Sequence, residues 1–183
     1  MKSIVAISGA SGSVYGIRLL ERLPGERHLV VSEVGRKVLE AETDVSYEEL
    51  VAKADDAYSD SDLFAPMASG SCRYDWMFVA PCSESTVAKI ANGIADTLIT
   101  RAASVMIKEG RGLVLLVRES PKSAIMLENE LKLARLGVRI VDANPGFYNR
   151  PETVDDIIET VVGRTLDQAG VHLDSFRRWE NPE

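Results

Sequence analysis

Two histidines and two cysteines are all that 183 residues carry of the usual metal-binding and redox side chains. Cys72 and Cys82 form no CxxC pair, and His28 and His172 show no ligand spacing. A disulfide framework and a zinc site are therefore not expected. The cysteine usage points to a reducing, cytoplasmic compartment. Apolar runs are also short. None approaches the roughly 20 residues that span a bilayer, and "MKSIVAIS" lacks the length and cleavage pattern of a signal peptide. Basic charge is in deficit. Lys and Arg number 21 against 28 Asp and Glu, so the net charge is -7. Non-specific nucleic-acid binding is not expected from such a chain. An anionic substrate would need local cations that overcome the global sign.

What is present is regular. Five continuous apolar runs, "SIVAIS", "HLVVS", "WMFVAP", "LVLLVR" and "VRIVDA", read as strands buried on both faces. Helical patterns separate them. "VYGIRLLERL" puts Ile17, Leu20 and Leu23 on one side, and "AIMLENELKLARLG" does the same with Leu127, Leu131 and Ala134 before stopping at Gly137. "SYEE" is a capping box. "PETVDD" starts a helix with Pro151 in the first turn and Asp155 and Asp156 where the dipole favours them. Strands alternating with helices imply an α/β fold, a parallel sheet in a Rossmann-like or flavodoxin-like three-layer sandwich. Length and the lack of a linker suggest one domain over 1–183, with a peripheral arm from about residue 170. "DDAYSDSDLFAPMASGSCRYD" is expected to be a long irregular segment.

Ligands in such sheets bind beyond the carboxyl ends of the strands. The residues there are Ser8 to Gly12, Ser32, then Ser83 to Thr86, Arg118 and Glu119, and finally Asn144 to Tyr148. The turn "SGASGS" is neither G-x-G-x-x-G nor a Walker A loop, which would carry a lysine. It is either an ordinary strand-to-helix turn or a place where a ligand lies flat against backbone. "PCSEST" opens a helix whose free amides and hydroxyls suit a phosphate monoester, although from this motif alone Ser83 as a plain cap is the better explanation. Cys82 reads as a small buried hydrophobe. Arg101 and Lys108 share one helical face, and Arg164 borders an apolar stripe made by Val154, Ile157, Ile158 and Val161. Arg118 and Glu119 directly follow an apolar strand. They need either each other or a ligand, because an unpaired charge is costly near a core.

Taken in order, "SGASGSVYGIRLL", "ASGS", "PCSEST", "TRAASVMIKEGRGLVLLVRESP" and "GFYNRPETVDDIIETVVGRTLDQ" resemble the UbiX-type flavin prenyltransferases, within the wider group of flavin-binding cysteine-decarboxylase-like proteins. The resemblance runs from Lys2 to about Trp179. It implies a metal-independent enzyme that assembles into homo-oligomers, commonly dodecamers. Such enzymes join a dimethylallyl group from dimethylallyl phosphate to N5 and C6 of reduced FMN, giving prenylated FMN for a UbiD-type decarboxylase. By this resemblance Gly9, Ala10, Ser11, Ser32, Ser83, Glu84, Ser85, Thr86 and Arg118 hold FMN. Lys108, Tyr148 and Arg164 hold the prenyl phosphate, with Arg101, Glu42 and Trp179 nearby. Glu119 handles a proton, and Ser11 and Lys108 join it in catalysis. Many relatives read "PCSMKT" where this chain has Glu84 and Ser85, so the expected phosphate contact lacks a lysine. An FMN-dependent decarboxylase of the same group, or a flavin carrier without catalysis, are the alternative readings. The first usually depends on a histidine near the end of the first helix, where this chain offers only His28.

Overall fold

In the computed structural model, residues 1–175 and Arg178 are described. Six strands make one parallel sheet: β1 (Lys2–Ile7), β2 (Glu26–Val31), β3 (Asp56–Ser59), β4 (Trp76–Cys82), β5 (Gly112–Val117) and β6 (Arg139–Asp142). Their order is β3-β2-β1-β4-β5-β6, the Rossmann order, so the connections reverse direction between β1 and β4. Helices α1 (Ser13–Arg22), α2 (Glu33–Glu42), α3 (Tyr47–Val51), α4 (Glu84–Ala91), α5 (Leu98–Lys108), α6 (Ala124–Arg135) and α7 (Val154–Asp167) connect or flank the strands.

Side chains alternate across each strand, and both faces are apolar, which is why the runs are continuous. Ile4, Ala6, Leu113, Leu115 and Val117 point to one face, under Val87, Leu98, Met106, Met126 and Leu133 of α4, α5 and α6. Val5, Ile7, Val114 and Leu116 point to the other, under Leu19, Leu20, Leu39, Val161 and Leu166 of α1, α2 and α7. Each fully buried aliphatic contributes roughly 1.5–3 kcal/mol. Gly16 of α1 has no room for a β-carbon, because one would meet the Ala80 carbonyl; α1 lies directly on β4 there.

Four expectations change. The segment expected to be irregular contains β3, an edge strand paired with β2 through Ala57 and Tyr58. It is too short and too polar to show as an apolar run. Leu127 and Leu131 of α6 face outward at 52% and 51% exposure, while Met126, Glu130 and Leu133 are buried. Pro151 precedes the helix, which Thr153 caps, with Asp156 completing the capping box. Val154, expected in the apolar stripe around Arg164, is exposed, and Ile158, Val161 and Val162 carry the buried face. The Ser46–Glu49 capping box and the stop at Gly137 (φ +85°) are as expected. No helix among the described residues is long and apolar enough to cross a membrane.

Candidate flavin and phosphate site

The reversal point between β1 and β4 is fastened by one serine. Ser8 Oγ donates to the Pro81 carbonyl at 2.9 Å and accepts from the Ser83 amide at 2.8 Å. This draws the first turn and the start of α4 together at the carboxyl end of the sheet. Gly9 sits under Val34, and an ideal β-carbon there would come within 2.5 Å of Val34 Cγ1. Ala10 is buried beside it, and Ser11 is exposed. Gly9 thus makes room for the Val34 side chain, and the turn itself carries only small residues, as a flat ligand requires.

Two helix N-termini meet here, and they differ. The α1 terminus already has a carboxylate. Glu42 Oε2, at the end of α2, accepts from Gly12 N at 2.7 Å and from Ser13 N at 3.3 Å. Burial pushes this carboxyl up, but the Ser11 hydroxyl, the two amides and the Arg118 charge together hold it below its ordinary range. The α4 terminus carries hydroxyls instead. Ser83 Oγ caps the Thr86 amide at 3.3 Å and lies 3.0 Å from Thr86 Oγ1. Glu84, the departure from the common pattern, turns aside to accept the Ser123 hydroxyl at 3.4 Å. Gly9, Ser32, Ser83, Ser85 and Thr86 line one cavity of about 290 Å³, closed opposite by Asp60, Thr97 and Thr100. Ser32 is also the cap of α2, accepting from Gly35 N at 3.0 Å. Asp60, Thr97 and Thr100 escaped the sequence reading. Asp60 follows the unseen β3, and the Thr97–Thr100 capping box was the available signal.

Arg118 and Glu119 leave the end of β5 without forming an ion pair, to each other or to any described residue. The Ser120 amide donates to Glu119 Oε1 at 2.9 Å. Arg118 Nε is buried with no hydrogen-bond partner among the described residues. Such an orphaned donor costs about 1–3 kcal/mol unless something accepts from it. A flavin, with its carbonyl and ring-nitrogen acceptors, fits that need, and the bare turn at Gly9 fits its flat ring.

A second cavity of about 340 Å³ opens beside the end of β6, lined by Asp142, Gly146, Tyr148, Thr160, Arg164 and Gln168 among others. It unites Tyr148 with Arg164. Arg164 donates to Asp167 at 3.1 Å, and Asp167 also binds Arg178 (2.9 Å) and His172 (2.9 Å). The Arg178 hydrogen bond, with help from His172 and Arg164, outweighs burial and holds the Asp167 carboxyl down at about 2.

Lys108 is not with them. It ends α5, four residues before β5 begins, and so lies at the amino end of the sheet, paired with Glu109 beside Gly70. Helices that return between parallel strands run antiparallel to them, which puts their last residues at the opposite rim from the strand ends. The expected Lys108–Tyr148–Arg164 cluster is therefore not formed within one chain. Arg101, one turn into α5, donates to the Ala68 carbonyl at 3.0 Å. Trp179 lies outside the described residues. Cys82 is fully buried and its thiol is pushed far up by that burial, so it is no nucleophile.

The flavoprotein family matches residues 1–166. A flavin prenyltransferase UbiX from Thermoplasma acidophilum is 47% identical over 98% of this chain and 100% of its own length. The chain belongs to the flavin prenyltransferase family. Two solved structures agree with that placement in fold and sequence. A dodecameric FMN-dependent UbiX-like decarboxylase from Escherichia coli O157:H7 has a TM-score of 0.97 and 48% identity, covering 99% of this chain and 100% of that one. AnUbiX (PadA1) in complex with FMN and dimethylallyl pyrophosphate has a TM-score of 0.97 and 41% identity, covering 100% and 98%.

Proposed function

We propose that this chain is a metal-independent flavin prenyltransferase. It joins a dimethylallyl group from dimethylallyl phosphate to N5 and C6 of reduced FMN, and the prenylated FMN passes to a UbiD-type decarboxylase. The observation that carries the reading is the orphaned Arg118 Nε at the end of β5, the strand that lies between β4, which leads into the hydroxyl-capped helix, and β6, beside whose end a cavity holds Arg164 and Tyr148.

Ser83, Ser85, Thr86 and the first amides of α4 hold the FMN phosphate. The α1 terminus is closed to it by Glu42. Gly9, Ala10 and Ser11 support the ring, with Ser32 at its side, and Arg118 donates to it. Bound reduced FMN supplies the electron-rich ring atoms that take the allyl group. Arg164 and the Tyr148 hydroxyl receive the departing phosphate, whose growing charge they stabilise more than the ester's. Keeping both partners at one rim of the sheet supplies the proximity term. The N5 proton leaves with the phosphate and is returned to C2 of the allyl group as its double bond opens and C3 bonds to C6; Glu119, with one oxygen fixed by the Ser120 amide, accepts the proton that C6 loses.

Lys108 serves the phosphate site of a neighbouring copy in a homo-oligomer, with Arg101 of the same helix close by. A dodecamer like that of the E. coli relative is the expected assembly. One flavoprotein domain spans the chain, with its arm from about residue 170 carrying Arg178 and Trp179.

The E. coli relative's description as a decarboxylase favours a second reading, an FMN-dependent decarboxylase. Against it, His28 is 2% exposed inside β2, far from the carboxyl rim, and cannot reach a substrate there. Anaerobic mixing of protein, reduced FMN and dimethylallyl phosphate separates the readings. The expected product is a flavin heavier by one prenyl unit. An unmodified flavin, with carbon dioxide released from a carboxylic acid substrate instead, would overturn the proposal.

A further inference from the structure

A charged knot lies at the outer end of the sheet. Lys122 is four residues beyond Arg118, in the connection between β5 and α6. Its ammonium is 2.9 Å from Glu130 Oε1 and donates to Glu130 Oε2 at 3.1 Å. It also donates to Asp142 Oδ1. The Lys122 and Glu130 side chains are 17% and 11% exposed, whereas Asp142 is 46% exposed and opens into the cavity that holds Tyr148 and Arg164. Asp142 is the last residue of β6 and pairs in register with Val117, next to Arg118.

We infer that Lys122 sets the affinity of that cavity for an anionic donor by cancelling the Asp142 charge in its wall. This rests on reading the cavity as the prenyl-phosphate site. Asp142 lines the cavity together with Arg164, and Asp167, outside the lining, pairs with Arg164. Asp167 is neutralised by Arg164 and Arg178 and has the His172 ring within hydrogen-bond distance. Asp142 has one ion-pair partner among the described residues, and that is Lys122. Left alone, the Asp142 carboxylate would repel a dianion across a half-exposed cavity. Glu130 keeps Lys122 in place, because the ammonium could leave only by abandoning a buried carboxylate. Lys122 is thus a positioning and specificity residue that need not touch the donor.

The test is a double-mutant cycle read by steady-state kinetics. Lys122→Met should raise KM for dimethylallyl phosphate roughly fivefold, while KM for FMN and kcat stay within about twofold. Adding Asp142→Asn should return the donor KM to within about twofold of the parent chain, and Lys122→Arg should leave it there. A purely structural Lys122 predicts something else: lower melting temperature, equal losses for FMN and donor, and no rescue by Asp142→Asn. That pattern, or an unchanged donor KM in Lys122→Met, overturns the inference. Should Lys122→Met fail to fold, Asp142→Asn alone decides, since it keeps the Lys122–Glu130 pair. It should lower the donor KM about twofold at low salt and lose that advantage at high salt; no change at low salt overturns the inference. Parent protein that yields no prenylated flavin defeats the functional reading itself, whereas normal product with an unshifted donor KM defeats only the role of Lys122.

Discussion

The two rims of the sheet both hold buried polar side chains, and they treat them in opposite ways. At the amino rim His28 is enclosed by its own neighbours. Its Nε2 lies 2.6 Å from Glu26 Oε1 and its Nδ1 3.4 Å from the Tyr74 hydroxyl, and its ring stacks on Tyr58. Lys2 closes the set by binding the same Glu26 oxygen at 2.7 Å. Glu26, His28 and Asp56 are close enough to suggest a metal trio, yet the two histidine nitrogens point to different carboxylates and Lys2 already neutralises one of them. At the carboxyl rim Ser13 Oγ, Arg118 Nε and Asn149 Oδ1 are buried without partners among the described residues. Among the described residues, the two other such atoms are Ser3 Oγ at the opposite end and Glu130 Oε1 in α6, which has the Lys122 ammonium beside it. A polar network that closes on itself stabilises a fold; one left open asks for a ligand.

Substitutions at the two rims sharpen that contrast. The largest effect belongs to Glu119→Gln, which should slow product formation on the order of 100-fold while FMN affinity, followed by flavin fluorescence, is unchanged. Next, Arg118→Met should weaken FMN binding on the order of 30-fold, because it deletes a charged donor aimed at the ring. An unchanged affinity would mean that the orphaned nitrogen is not completed by flavin. Lys108→Ala should cut turnover about tenfold through the donor. Mixing its unfolded-and-reassembled chains with Glu119→Gln chains should regain part of the activity, since some sites then combine an intact Lys108 from one copy with an intact Glu119 from another. No recovery would place Lys108 outside the site. His28→Leu, at the closed rim, should lower stability by about 2 kcal/mol in urea denaturation and leave FMN affinity alone.

The smallest effect is one of pH. The Asp167 carboxyl is lowered from 3.8 to about 2 in the folded chain. A depressed carboxylate adds stability that is fully present above about pH 4 and is lost as pH falls towards about 2. Its partner Arg164 is half-exposed, so solvent screening reduces the contribution to on the order of 1 kcal/mol. Melting curves at pH 5 and pH 2.5 should show it, and Asp167→Asn should remove that part of the difference.

Most of the carboxyl rim was legible because its chemistry sits in short stretches directly after apolar runs. Ser83, Arg118 and Glu119 could be placed by counting from strand ends. What stayed hidden depends on partners distant in sequence. The buried face of α6 includes Glu130, so the apolar pattern pointed to Leu127 and Leu131 instead. Only the Lys122 ammonium explains why a carboxylate can occupy that face. In the same way β3 is held by β2 rather than by its own composition, and Asp167 acquires its role from an arm that returns to α7. Lys108 stands at the amino rim, away from Tyr148 and Arg164, because a resemblance names residues without saying whether one chain brings them together.

Amide hydrogen exchange with and without FMN tests the central claim most directly, because it reads both rims in one experiment. Added FMN should slow exchange in residues 8–12, 83–87 and 118–120, and leave residues 26–31 and 56–59 as they were. Protection centred on β2 and β3 near His28, with none at the glycine turn or Arg118, would contradict the account.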